Sequence, residues 1–237
     1  MRKTRVFSVR LGKVLPCRVI KRLNRFTVSV MVNDEYAKAY LANTGRLDTV
    51  LHEGSKGYCL KRDGVGKTKY RLVGVKVKDL GIAVLDTLLH MRVFEEYVSK
   101  GLIGWLRGCK ILSKNVRVNK SMFECYGMRG YVELKSAVAL VNSYAAYPDC
   151  PTLRGRRHVR DLLSLTLRGF KTFLIFVAAI PKVKGFKLYE ERDKVLAELI
   201  REALRRGVEV KAIGIGASIV NSNFSIYLWN DSLKVVL

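Results

Sequence analysis

The sequence predicts a small β-barrel domain followed by a mixed α/β domain, with the change of pattern near Asp86. Two patterns carry this prediction. Short alternating runs separated by tight turns occupy the first third of the chain, which is typical of small barrels. Helical spacing then alternates with apolar strand-like runs, which is typical of α/β domains. We therefore divide the chain into residues 1–85 and 86–237.

The strands of the first domain follow from the alternation of apolar and polar residues. Apolar side chains at every second position of 26–32 predict a half-buried strand, and Asn33-Asp34 predicts a two-residue hairpin turn. On the returning strand, one face carries Tyr36, Lys38 and Tyr40. Further strands are predicted at 57–61, 70–78 and 82–85.

Helical spacing and apolar runs organise the second domain. Helices are predicted at 87–100, 153–168 and 190–206, where apolar residues recur at helical spacing and a glycine follows. Strands are predicted at 116–125, 131–140, 171–180, 208–215 and 224–229. The run 171–180 is almost entirely apolar, which predicts a strand that is buried on both faces.

The charge of the chain points to a polyanionic partner. Its 237 residues include 44 Lys and Arg against 20 Asp and Glu, for a net charge of +24. Such a charge favours DNA, RNA or an anionic membrane surface. A hydrophobic content of 49% excludes a disordered basic tail. The longest apolar run, 172–180, is too short to span a bilayer, so we predict no membrane partner.

Residue usage indicates a cytoplasmic protein. Residues 1–10 lack the apolar core and the cleavage site of a signal peptide. The five cysteines are scattered without a C-x-x-C pair, so we expect them to be reduced and to serve in packing. Glutamine is absent while Lys, Arg and Glu are abundant, which favours a thermophilic source.

Glu133 and Lys135 form the sharpest candidate for chemistry. They lie two residues apart in a strand-like run, so their side chains share one face. A carboxylate there would hold Mg²⁺ or Mn²⁺, and the lysine would orient a water for attack on phosphorus. The alternative is an ordinary salt-bridging pair on an exposed strand, because this spacing is common.

Two further candidate metal ligands lie on the neighbouring segments. Glu124 is the only carboxylate of the preceding strand, where Met122 has the same parity and is too soft a donor for magnesium. Asp149 is a candidate third ligand, with the alternative that it caps the following helix. Thr152 competes for that capping role.

Two basic surfaces are candidates for binding nucleic acid. The helix at 153–168 places several cationic side chains beside its positive N-terminal end, which favours phosphate contact. These residues are Arg154, Arg156, Arg157 and His158; the alternatives are a solvated basic face and, for His158, an ordinary surface or core histidine. The row Tyr36, Lys38 and Tyr40 would stack bases and follow a backbone, although tyrosine is also common in ordinary strands.

Six segments resemble, in the same order, the sugar fermentation stimulation protein A (SfsA) family. They are Lys21–Phe26, Ala42–Leu47, Glu53–Ser55, Tyr131–Ser136, Tyr147–Asp149 and Thr152–His158. The resemblance implies an N-terminal OB-like β-barrel and a C-terminal domain like the PD-(D/E)xK nucleases. It also implies DNA binding with little sequence preference and a link to the regulation of sugar use.

The resemblance assigns a nuclease-type site to Glu133 and Lys135, with Asp149 nearby. The aspartate usual in the family falls on Met122, and Glu124 is the candidate substitute. The metal ligands would then be Glu133, Asp149 and Glu124. Arg46, in the Asn-Thr-Gly-Arg block, joins the residues assigned to nucleic-acid binding.

We therefore expect a protein that binds single- or double-stranded DNA. A Mg²⁺- or Mn²⁺-dependent nuclease is the alternative function, with Glu133, Lys135, Asp149 and Glu124 as its catalytic set. The sequence leaves open RNA as the bound nucleic acid and a homodimer as the assembly. If the protein is not catalytic, no cofactor is expected.

Overall fold

The computed structural model describes residues 8–62, 66–115 and 120–237. The first part of the strand predicted at 116–125 lies outside the described residues. The strands are β1 (Ser8–Asn24), β2 (Thr27–Val32), β3 (Glu35–Tyr40), β4 (Lys56–Lys61), β5 (Tyr70–Val77), β6 (Gly81–Val84), β7 (Cys109–Asn115), β8 (Lys120–Cys125), β9 (Met128–Ala137), β10 (Ala139–Val141), β11 (Tyr144–Tyr147), β12 (Lys171–Ala178), β13 (Phe186–Leu188), β14 (Glu209–Val220), β15 (Asn223–Asn230) and β16 (Val235–Val236). The helices are α1 (Thr87–Ser99), α2 (Leu153–Leu167) and α3 (Lys194–Arg205).

The first five strands pair in a closed circuit. β1 pairs with β2 and β4, β2 pairs with β3, and both β3 and β4 pair with β5. Val28, Val30 and Val32 alternate along β2 and are buried inside this circuit. Asn33 and Asp34 have φ of 49° and 62°, which is the backbone of the predicted hairpin turn.

β1 is the longest of the strands that the alternation of apolar residues did not reveal; β7, β11, β13 and β16 were also not predicted. β1 runs for 17 residues, with shifts of register after Arg10, Val19 and Arg22. Each shift exchanges the residues that face the interior, so the period of two is lost from the sequence. β1 also pairs with β15, and β6 pairs with β14, so one sheet continues from the first domain into the second.

A mixed sheet forms the centre of the second domain. β9, β12 and β14 run parallel as neighbours, while β8 and β7 extend the sheet antiparallel beyond β9. β12 is buried from Thr172 to Ala178, as the apolar run predicted. α1 and α2 cover opposite faces, because His90 of α1 meets Ser136 whereas His158 of α2 meets Glu133.

Asp193 holds the N-terminal ends of α2 and α3 together. It is the N-cap of α3, where its carboxylate accepts the Leu196 backbone N–H at 3.0 Å. The same carboxylate accepts the Thr152 N–H at 3.0 Å and three hydrogen bonds from the Arg156 guanidinium, the shortest at 2.7 Å. This cap is the reason that α3 begins at Lys194, whereas the apolar spacing predicted a start at Glu190.

Cys109 and Cys125 form a disulfide between β7 and β8. The prediction that the cysteines are reduced is therefore wrong for this pair. The two residues are direct partners in the antiparallel register, which brings their Cβ atoms together. The register between β7 and β8 is a tertiary feature, and the spacing of the cysteines in the sequence does not predict it. Cys17 and Cys59 are buried with their Sγ atoms 3.2 Å apart, in agreement with a packing role.

Candidate functional site

β9 delivers Glu133 and Lys135 to the interior of the molecule. Both side chains point to the face that α2 covers, as their spacing of two predicted. Glu133 is 3% exposed and Lys135 is 9% exposed. An ordinary surface salt bridge would be largely solvated, so the pair does not lie on an exposed strand face as that alternative expected.

A third side chain, His158 of α2, completes a buried cluster. Oε1 of Glu133 lies 2.6 Å from Nζ of Lys135 and 2.6 Å from Nδ1 of His158. Arg154, one helical turn earlier, donates from Nε to Nε2 of His158 over 3.4 Å. A guanidinium only donates, so Nε2 accepts this bond, while Nδ1 lies 2.6 Å from Oε1 of Glu133 and 3.1 Å from Nζ of Lys135.

Glu133 is held as a carboxylate, and one of its two oxygens has no hydrogen-bond partner among the described residues. Burial acts to raise the pKa of its carboxyl, but the hydrogen bonds from His158 and Lys135, with their charges, hold that pKa below the ordinary value. Its second oxygen, Oε2, is buried without a hydrogen-bond partner among the described residues. A buried anionic oxygen without a donor is a costly arrangement unless a ligand completes it.

Asp149 reaches the site from the segment that follows β11. Its Oδ2 accepts the backbone N–H of Leu47 at 3.0 Å, so this carboxylate joins the second domain to the first. It does not cap α2. Thr152 is the cap, with its Oγ1 accepting the Gly155 N–H at 2.9 Å.

The loop 43–47 that meets Asp149 is held rigidly by Arg22. The guanidinium donates to the carbonyls of Asn43 at 3.1 Å and Arg46 at 2.6 Å, and also to that of Gly45. The Asn43 side chain is buried and donates to the Leu85 carbonyl at 2.9 Å. The loop is therefore a fixed wall of the site.

Together these elements line an open cavity of about 560 Å³ between the two domains. Its walls are the loop 43–47, the first turn of α1, the end of β9, the segment 146–150 and the first turns of α2. Glu133, Lys135, His158 and Asp149 all line it. The structure thus brings together three of the four predicted catalytic residues.

Glu124, the fourth, lies elsewhere. It pairs in register with Arg129, four residues before Glu133 on β9, which is about 13 Å along a strand. Its carboxylate meets Lys110 at 3.1 Å and Arg129 at 3.6 Å. Met122 is on the same face as Glu133, as its parity predicted, and stands opposite Tyr131. The structure therefore does not bring Glu124 to the proposed metal position.

The predicted basic residues of α2 divide into two groups. Arg154 and Arg157 are exposed, and Arg154 lines the cavity. Arg156 is instead bound to Asp193, and His158 is buried against Glu133. Arg156 thus has a structural partner in place of the phosphate contact predicted for it.

The predicted residues of the first domain lie on its outer surface. Tyr36, Lys38 and Tyr40 share the outward face of β3, since Ala37 and Ala39 point inward. Tyr36 is 72% exposed, and the Arg62 guanidinium lies over the Tyr40 ring at 5.3 Å. Arg46 is exposed at the cavity loop.

Three residues at the cavity were not predicted. Arg22 and Asn43 fix the cavity loop by donating hydrogen bonds to backbone carbonyls. Their only signal in the sequence is that they lie in the segments that resemble the family. Tyr147 lies beside both carboxylates. Burial, with the charges of Glu133 and Asp149 adding to it, raises the pKa of its hydroxyl, which therefore remains a donor.

We expect Gly45→Ala to disrupt the contact between the domains. An added Cβ would overlap both oxygens of the Asp149 carboxylate, which is fixed by the Leu47 N–H. Overpacking of this kind costs about 1–3 kcal/mol. Urea unfolding measures the loss of free energy. Gly66→Ala is the matched control, since nothing lies within 4 Å of its added Cβ; equal stability of the two variants would contradict the prediction.

Comparison with known proteins agrees with this architecture. Residues 20–85 match the model of the SfsA N-terminal OB domain, and residues 88–219 match that of the sugar fermentation stimulation protein RE domain. The chain belongs to the SfsA family. The predicted family and the predicted OB domain are thereby confirmed.

Curated SfsA relatives match nearly the full chain. A sugar fermentation stimulation protein homolog of Archaeoglobus fulgidus is 41% identical over 227 residues, covering 96% of this chain and 98% of the relative. Another from Pyrococcus furiosus is 40% identical over 210 residues, covering 86% and 90%.

A solved SfsA structure has the same fold. The structure of Pyrococcus furiosus SfsA in complex with Ca²⁺ superposes with a TM-score of 0.89 at 36% identity, covering 97% of this chain and 98% of that one. No helix in the described part of this SfsA chain is long and apolar enough to cross a membrane.

Proposed function

We propose that this protein binds DNA with little sequence preference. The observation that carries the proposal is the excess of cationic side chains, a net charge of +24, combined with the exposed Arg154 that lines an interdomain cavity. Contacts of this kind neutralise phosphates and release counterions irrespective of base sequence. Four expectations from the sequence stay predictions. They are a role in regulating sugar use, a cytoplasmic location, RNA as an alternative ligand and a homodimer.

Binding is expected to weaken steeply with salt. If several phosphates are neutralised, affinity falls by about 10³-fold between roughly 50 and 200 mM salt. Arg157→Glu at the exposed N-terminal half of α2 should reduce the slope of log affinity against log salt by about 1 or more. Fluorescence anisotropy with labelled DNA measures both quantities.

Arg205→Glu is the matched control for this measurement. It makes the same charge change at an exposed arginine, at the far end of α3. We expect it to alter the slope far less than Arg157→Glu. A salt-independent affinity of the unaltered protein would reject the proposed DNA binding.

A second candidate function is metal-dependent cleavage of phosphodiester bonds by a PD-(D/E)xK-like site. The observation that favours it is the buried Oε2 of Glu133, which has no partner among the described residues, beside the Lys135 ammonium. The mixed sheet with helices on both faces and the Glu-x-Lys pair on a central strand also support it. A solved relative was obtained in complex with Ca²⁺, an ion that takes oxygen ligands as Mg²⁺ does.

The residues present are compatible with a magnesium-type ion. Such an ion is commonly held by one or two carboxylates together with waters and substrate phosphate oxygens. Glu133 and Asp149 would supply these two carboxylates, although no group of three or more His, Cys, Asp or Glu residues suited to a metal converges in the described part of the chain. The ion would supply Lewis-acid stabilisation of the charge that develops on phosphorus.

The side chains of the protein would do the remaining work. Lys135, fixed by its hydrogen bond to Glu133, places a cation beside the carboxylate where a phosphoryl oxygen would lie. His158 orients Glu133 through the contact between its Nδ1 and Oε1 of Glu133, and Arg154 in turn positions His158. Incubation of DNA with purified protein and Mg²⁺ or Mn²⁺, followed by gel analysis, tests this function.

A further inference from the structure

We propose that the interdomain cavity receives unpaired, single-stranded DNA and excludes a base-paired duplex. This inference rests on the proposed DNA binding and names the form of DNA that the site accepts. It follows from the depth of the site, the size and walls of the cavity, and the side chains at its mouth.

The polar cluster lies too deep for a duplex to reach. Glu133, Lys135 and His158 are at most 9% exposed. The phosphates of a duplex lie on the outside of a stiff, wide cylinder, and a protein reaches them with protruding side chains or open grooves. An unpaired strand bends and enters a recess one nucleotide at a time.

The walls of the cavity limit what enters. The loop 43–47 is fixed by Arg22 and joined to the opposite domain through the bond from Leu47 to Asp149, so the two walls are tied together. The cavity volume of about 560 Å³ lies within the range of pockets that hold one small organic ligand. That is the scale of one or two nucleotides, well short of a turn of duplex.

Apolar side chains at the mouth suit exposed bases. Leu88 lies on the first turn of α1 and lines the cavity, and it is 59% exposed. Leu153, the first residue of α2, is 79% exposed beside the cavity-lining Thr152 and Arg154. A duplex presents only sugar and phosphate to such positions, whereas an unpaired base offers an apolar face.

The outward face of β3 offers a path along which single-stranded DNA would reach the cavity. Tyr36, Lys38 and Tyr40 form a row of rings and charge along the outward face of β3. β3 ends at Tyr40, three residues before Asn43 of the cavity loop. Alternating aromatic and basic side chains of this kind stack bases and follow the phosphates of single strands.

The test compares two DNAs and two variants in metal-free buffer. Fluorescence anisotropy is measured with a labelled single strand of about 20 nucleotides and with a blunt duplex of the same length, enough to span an OB-type site. We expect the unaltered protein to bind the single strand at least about tenfold more tightly. Leu153→Glu should lower single-strand affinity roughly tenfold, because it replaces an apolar contact at the mouth by a negative charge beside the phosphates.

Leu167→Glu is the matched control. It is the same change on the same helix at a residue that is 63% exposed, about 21 Å from Leu153 along the axis. We expect it to change single-strand affinity less than about twofold. Glutamate is favourable in the first turn of a helix, so Leu153→Glu is expected to stay folded, which thermal unfolding verifies.

The outcomes separate this inference from the function on which it rests. Equal or tighter binding of the duplex would overturn single-strand selection and leave DNA binding standing. Equal losses in Leu153→Glu and Leu167→Glu would overturn the assignment to the cavity. Binding of neither DNA would overturn the proposed function and this inference with it.

Discussion

Glu133→Gln is expected to reduce Mg²⁺- or Mn²⁺-dependent cleavage of DNA at least about 100-fold, because it removes the charge of a buried carboxylate whose Oε2 has no hydrogen-bond partner among the described residues. Glutamine keeps the shape of the side chain and an oxygen to accept the bonds from Lys135 and His158. DNA affinity at low salt should therefore change less than about twofold, since it depends on exposed cations. Single-turnover cleavage and anisotropy measure the two effects separately.

Glu124→Gln is the matched control for this experiment. Glu124 also lies on the sheet, but its carboxylate is paired with Lys110 and Arg129 and does not line the cavity. Cleavage by this variant should stay within about twofold of the unaltered rate, as expected for a surface pair. If Glu124→Gln lost cleavage and Glu133→Gln kept it, the metal would bind outside the cavity. No cleavage by the unaltered protein would reject the nuclease function alone.

Asp193→Ala is expected to cost about 2–4 kcal/mol of unfolding free energy, because a helix cap and buried hydrogen bonds are lost and the partly exposed Arg156 loses its partner. The same substitution removes the N-cap of α3 and the acceptor of the Thr152 N–H. Both helices that cover the site therefore lose an anchor. Urea unfolding followed by circular dichroism measures the change.

The exposed pair of Asp48 and Arg192 supplies the control. Its atoms lie 3.0 Å apart and the Asp48 side chain is 44% exposed. Asp48→Ala should cost less than about 1 kcal/mol, as is usual for surface ion pairs. If the two aspartate variants lost equal stability, Asp193 would not be the anchor that its contacts indicate.

The stabilisation by Asp193 is expected to depend on pH on the acid side. Burial acts to raise the pKa of its carboxyl, but the bonds from Arg156, Thr152 and Leu196 hold that pKa below the ordinary value. A depressed pKa contributes stability that is fully present above the unfolded value, about 3.9, and is lost as pH falls through the folded value. Unfolding free energies of Asp193→Ala and the unaltered protein should therefore converge below about pH 4.

Local patterns explain why some elements were predictable. The turn at Asn33-Asp34, the buried strand β12 and the starts of α1 and α2 depend on residues close in sequence, whose conformational preferences act before any tertiary contact forms. β1 was missed because its bulges break the alternation. The disulfide was missed because it depends on the register between β7 and β8.

The candidate site was likewise predictable only where it depends on residues close in sequence. The spacing of Glu133 and Lys135 was sufficient to place both on one face, since side chains alternate along any strand. Parity also placed Glu124 on that face, but parity carries no information on distance along the strand. The register of β8 against β9 separates it from Glu133, and its carboxylate is taken up by Lys110 and Arg129.

By itself the sequence determined the basic charge, the two-domain order and the shared face of Glu133 and Lys135. These properties are sums over composition or consequences of short-range geometry. Only the tertiary structure decided that His158 completes the cluster, that Asp149 joins the loop of the other domain, and that Arg156 is bound to Asp193. Each of these contacts joins residues from separate elements, and their meeting depends on how the whole chain packs.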